Sequence, residues 1–136
     1  MKLKIGYQEL IQKAMDEIET LPLQRAQELL ADPNTLFVDI RDIRELEREG
    51  MIPNALHAPR GMLEFWVDPD SPYYKAIFGE GKSLVLYCAS AWRSALATQT
   101  LQMMGVPNVC HLEGGFGAWK KAQLPVVEKA SKPHSS

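Results

Sequence analysis

The chain has 136 residues, 46% of them hydrophobic and 24% charged, with a net charge of -2. That length suits one domain with its own core, and the balance excludes a disordered chain. The near-neutral charge, with no block rich in lysine or arginine, excludes an electrostatic basis for nucleic-acid binding.

Lysines near Met1 are not followed by an apolar stretch, so no secretory signal is expected. The apolar runs are too short to cross a membrane. Cys88 and Cys110 are too few for a disulfide framework and lack the Cys/His spacing of a zinc site. The expectation is therefore a protein of a reducing cytoplasm with no metal and no cofactor.

In chain order, Tyr7, Leu10, Ile11, Ala14, Met15 and Ile18 recur at helical spacing and predict an amphipathic N-terminal helix. Thr20-Leu21-Pro22 reads as an interruption, after which Pro22 opens a short helix over 23–30. Asp32-Pro33-Asn34 is a turn, and 36–40 is a buried strand ending in charged residues. A helix over 43–49 stops at Gly50.

A second strand is expected around 55–58, a helix over 61–67 and a loop over 68–72. The clearest strand is 83–87, the clearest helix 94–104, and 109–112 is the last strand. Gly114-Gly115 then leads into a short helix over 116–121. Strands alternating with helices imply an α/β fold of three layers, a mostly parallel sheet with helices on both faces. Residues 1–19 read as a helical extension, 20–127 as the domain, and 128–136 as a polar, disordered tail.

The chemistry points to Leu84-Val85-Leu86-Tyr87-Cys88-Ala89-Ser90-Ala91-Trp92-Arg93-Ser94. An apolar strand stops at Cys88 and a helix follows, and strand carboxyl ends are where α/β sheets bind ligands. Free amides and the helix dipole there favour thiolate over thiol. The small residues Ala89, Ser90 and Ala91 let successive N–H groups curl around the sulfur, and Arg93 adds a fixed positive charge. Against this stands the ordinary role of a strand cysteine as a small buried hydrophobe, which is also the reading for Cys110.

Four ordered blocks resemble the rhodanese family: Val38-Asp39-Ile40-Arg41, Gly50-Met51-Ile52-Pro53-Asn54-Ala55, Cys88 to Ser94, and Gly114-Gly115-Phe116-Gly117-Ala118-Trp119. The resemblance implies a sulfurtransferase in which Cys88 takes sulfur from a donor such as thiosulfate or a persulfide. Its persulfide would pass the sulfur to cyanide, a small thiol or a protein thiol. Ala89 to Ser94 would bind the substrate. A non-catalytic interaction or sulfur-sensing module keeps the same fold. A cysteine phosphatase or arsenate reductase is a further alternative, disfavoured because Cys88 and Arg93 are spaced C-x4-R and not C-x5-R.

The resemblance suggests Asp39 as a partner that orients Arg93, while a local turn or cap role also suits it. Arg41 and Arg60 are candidates to draw an anionic donor, with simple solvation as the other reading. Trp92, inside the loop, walls the pocket or offers a landing surface to a protein acceptor; Phe65 and Trp66 could line the mouth or form an apolar helical face. Trp119, His57 and His111 read as packing or satisfied structural residues. Ala91 stands where the family often has glycine, and its Cβ favours a loop with negative φ at that position.

Overall fold

The computed structural model describes residues 1–129; the expected tail lies almost wholly outside them, as does His134. Eleven elements follow one another: α1 (Tyr7–Glu17), β1 (Thr20–Leu21), α2 (Leu23–Leu29), β2 (Thr35–Asp39), α3 (Ile43–Glu49), β3 (Leu56–His57), α4 (Leu63–Val67), β4 (Ser83–Tyr87), α5 (Trp92–Met103), β5 (Val109–Leu112) and α6 (Gly115–Lys121). Short 3-10 turns at Arg60–Met62 and Ala76–Gly79 complete the connections. The five strands form one parallel sheet in the order β1-β5-β4-β2-β3.

Each central strand is apolar on both sides because both sheet faces are covered. Side chains alternate across the pleat. Leu36, Val38, Ile40, Leu84, Leu86 and Cys88 therefore share one core with Leu63 of α4 and Ala97 and Leu101 of α5. Phe37, Val85 and Tyr87 face the other way, against Ala26 of α2 and Phe116 and Trp119 of α6. Cys88 thus continues the β4 alternation toward α5 one residue past the strand, at 0% exposure.

Two expectations need correction. Thr20-Leu21 is not a break but an edge strand, held where Glu19 and Leu21 carbonyls accept from the amides of His111 and Glu113. Its pairing is supplied wholly by β5, which a local reading cannot register. Helix α5 begins at Trp92, two residues earlier than the pattern predicts, because the Ala95 amide donates to the Ala91 carbonyl and closes the first turn there.

Helix α1 lies along α5. Ala14 is fully buried, and Gln99 and Gln102 donate to the side chain and carbonyl of Glu17 at 2.7 and 2.8 Å. Among the described residues, no helix is long and apolar enough to cross a membrane.

Candidate active site

Parallel strands bring their carboxyl ends to one edge, with Asp39 at the end of β2 beside Tyr87 at the end of β4. The loop from Cys88 to Ala91 leaves this edge and runs into α5. The Cys88 sulfur accepts from the Ser94 amide at 3.4 Å and lies 3.6 Å from the Ser94 hydroxyl. The Ser94 amide and hydroxyl both belong to the first turn of α5, so the helix dipole and a hydroxyl converge on one buried sulfur.

The loop's own carbonyls are held on the opposite side of its backbone. The Phe116 amide donates to the Cys88 carbonyl at 2.7 Å and the Gly117 amide to the Ala89 carbonyl at 2.9 Å. The first turn of α6 thereby takes two carbonyls that would otherwise be free to rotate inward. The contact is too close for a side chain: a Cβ on Gly115, whose φ is +65°, would lie 2.6 Å from the Cys88 oxygen. This is the physical reason for paired glycines ahead of α6.

Ala91 corrects an expectation. Its φ is +72°, in the left-handed region, so the loop forms at the cost of conformational strain and not by avoiding it. Ala91 is the residue that reverses the chain into α5, and the tertiary clamps on the loop hold it there.

Arg93 is bidentate on Glu45, at 2.8 and 3.0 Å. Glu45 in turn accepts from the Asp42 amide and completes a capping box with Asp42 at the start of α3. Arg93 holds the Glu45 carboxyl below its ordinary value, and the Glu45 pairing, with a contribution from the Cys88 sulfur, raises Arg93. Asp39 does not orient Arg93. It pairs with Arg41 two residues on, its oxygens accepting from the Arg41 amide, Nε and Nη2 at 3.1, 3.0 and 2.8 Å.

Arg41 is likewise not positioned to draw a donor from solvent. It is fully buried, donates to the Gly50 carbonyl at 2.8 Å and lies 4.2 Å over the Phe116 ring. It packs beside the loop's supports, over Phe116, whose amide holds the Cys88 carbonyl, and near the ring of Tyr87. Arg60 is exposed, just beyond β3 on the strand-end side, and its side chain has no partner among the described residues.

Ala89 and Ser90 are part of the loop, and Trp92 is half exposed, its ring 5.2 Å from that of Tyr7 on α1. The N-terminal helix therefore reaches the rim of the loop. Phe65 is exposed, whereas Trp66 packs on the α5-side core with Lys75 above its ring. Trp119 is buried and donates to the Pro125 carbonyl at 2.7 Å. Burial pushes the Cys110 thiol up to about 12, so it stays protonated as a packing residue. The sequence reading missed Glu45, although Asp42-x-x-Glu45 is a legible capping box.

The family model for the rhodanese-like domain matches residues 23–122. The chain belongs to the rhodanese-like domain family. A sulfurtransferase of Allochromatium vinosum is 33% identical over 83% of this chain and 95% of its own length. An uncharacterised Synechocystis protein is 36% identical over 85% of this chain, which spans 60% of that longer relative. A solved Rhodopseudomonas palustris structure, described as a protein of unknown function and possible tyrosine phosphatase, is 47% identical with a TM-score of 0.90; it covers 93% of this chain and 98% of that one. That coverage extends beyond the rhodanese-like match of residues 23–122.

Gly115→Ala should lower stability by roughly 1–3 kcal/mol and slow alkylation of Cys88, because both the φ and the loop contact are violated. Ala91→Gly should be neutral to stabilising by up to about 1 kcal/mol, since relieved strain outweighs added chain entropy. Urea unfolding of both variants checks the pair.

Glu45 also yields a pH prediction. Its folded carboxyl titrates below the ordinary value of 4.5, so the pair's stabilisation is complete above pH 4.5 and is lost as pH falls through the lower folded value. Thermal unfolding measured across that acid range should show a steeper fall in Tm for wild type than for Glu45→Gln. Parallel curves would contradict it.

Proposed function

We propose that this protein is a sulfurtransferase that carries sulfane sulfur on Cys88. The observation that supports it most is the buried Cys88 sulfur facing the Ser94 amide and hydroxyl at the mouth of α5, in a loop clamped by α6. Donors fixed in advance stabilise negative charge on sulfur without reorganisation at the moment of reaction. In the first half-reaction the Cys88 thiolate attacks the outer sulfur of the donor. The donor's S–S bond breaks, and the electron pair leaves with sulfite or a thiolate. In the second, an acceptor thiolate or cyanide attacks the terminal persulfide sulfur and returns Cys88 as thiolate.

The pairing of Arg93 with Glu45 bears on the donor. Because the loop's cation is already neutralised, a dianion such as thiosulfate gains less there than beside a free guanidinium. A persulfide group carries a single negative charge at the sulfurs that enter the loop, so it suits the site better. Exposed Arg60 offers a surface contact to an anionic donor, and Trp92 with Tyr7 offers an aromatic rim to a protein thiol acceptor.

The phosphatase reading draws support from the description of the Rhodopseudomonas palustris protein, but the C-x4-R loop is one residue short of a C-x5-R phosphate cradle. Incubation with thiosulfate or glutathione persulfide should add the mass of one sulfur atom to wild type and none to Cys88→Ser. Thiocyanate release should follow the same pattern, with the persulfide the faster donor. Glu45→Gln should narrow the gap in favour of thiosulfate. Turnover of an aryl phosphate without sulfur loading would revive the phosphatase, and loading with no donor alongside tight protein binding would favour an interaction module.

A further inference from the structure

Behind the sulfur, away from the loop, a line of polar side chains runs across the sheet edge. The Ser94 hydroxyl, 3.6 Å from the Cys88 sulfur, is 3.1 Å from Nδ1 of His111. Nε2 of the same ring is 3.0 Å from the Thr20 hydroxyl. Thr20 and His111 are register partners in β1 and β5, so the sheet itself sets their spacing. Cys88, Ser94 and His111 are fully buried, whereas Thr20 sits on the edge strand and is partly exposed.

Every member of this line except the sulfur is a group that both donates and accepts, and both ring nitrogens are taken by hydroxyls. A neutral imidazole carries one ring proton, so the line has only two self-consistent directions. With Cys88 as a thiol, S–H donates to Ser94, Ser94 donates to Nδ1, and Nε2–H donates to Thr20. With Cys88 as a thiolate, Thr20 donates to Nε2, Nδ1–H donates to Ser94, and Ser94 donates to sulfur. Burial lowers the His111 pKa, which keeps the ring neutral as both arrangements require.

We propose that His111 is a positioning residue for Cys88, and that Thr20, His111 and Ser94 form a hydrogen-bond relay whose direction reverses with the charge on the sulfur. On ionisation the thiol proton passes to Ser94 Oγ, the Ser94 proton to Nδ1, the Nε2 proton to Thr20 Oγ1, and the Thr20 hydroxyl proton to solvent. One proton leaves, and each hydroxyl and the imidazole end with the number they began with. The relay thus connects a fully buried residue, Cys88, to the partly exposed Thr20 on the edge strand. It rests on Cys88 being the reactive sulfur, and assigns a role to a histidine that otherwise reads as a satisfied core residue.

The test needs no sulfur donor, so it fails or succeeds apart from the sulfur-transfer reading. Long-range proton–nitrogen NMR of the full chain reads the His111 tautomer directly. Nδ1–H is expected when ultraviolet absorbance shows Cys88 ionised, and Nε2–H after Cys88 is S-methylated, because Ser94 then donates to Nδ1. The same tautomer in both forms, or an imidazolium, would overturn the proposal. Iodoacetamide alkylation of Cys88 supplies the second readout. Ser94→Ala should slow it about tenfold or more, the scale of a lost hydrogen bond to charge.

His111→Leu should slow alkylation severalfold, and His111→Asn should recover most of the rate, since its amide can donate where Nδ1–H did. In the Ser94→Ala background His111→Leu should add nothing, because its effect travels through Ser94. Additive losses, or an Asn variant as slow as Leu, would mean that His111 only packs.

Discussion

The site depends on a backbone contact: the first turn of α6 holds the Cys88 and Ala89 carbonyls through the Phe116 and Gly117 amides. A tight loop of small residues has no core of its own, and its carbonyls would compete with its amides for the inward direction. Tying the carbonyls to another helix resolves that competition. It also explains the glycine at position 115, where any side chain would strike the loop.

Around this clamp, two ion pairs divide the charged residues by burial. Asp39 and Arg41 form a fully buried pair, and Arg41 also meets the Gly50 carbonyl, the Glu49 carboxylate at 4.0 Å and the rings of Phe116 and Tyr87. A charge without water persists only with such company, and the arrangement stiffens the junction of β2, α3 and α6. Glu45 and Arg93 form the partly exposed pair, linking the start of α3 to the start of α5. The first pair has a scaffolding part; the second sets Arg93 beside the Cys88 sulfur with its charge already paired.

The sheet contributes more than a platform. Register places Leu86, His111 and Thr20 side by side on strands far apart in sequence, and α5 brings Ser94 over His111. The relay behind Cys88 is a product of that alignment. The N-terminal helix, packed on α5 and touching Trp92 through Tyr7, extends the same face toward the rim of the loop.

By itself the sequence determined the alternation of strands and helices, the parallel α/β class and the place of Cys88 at a strand end. These follow from local periodicity and from residues such as Gly50 and Pro22 that act where they stand. Most element bounds, to within a residue or two, and the burial of Trp119 were legible for the same reason. Only the tertiary structure decided the rest. Thr20-Leu21 became a strand because β5 lies beside it, and Ala91 took positive φ because the surrounding clamps outweigh its own preference. Asp39 chose Arg41, leaving Arg93 to Glu45, because ion pairs are set by distance in space. Cys88 itself, recognisable from its loop, acquired its line to Thr20 only when residues 20, 94 and 111 met across the sheet.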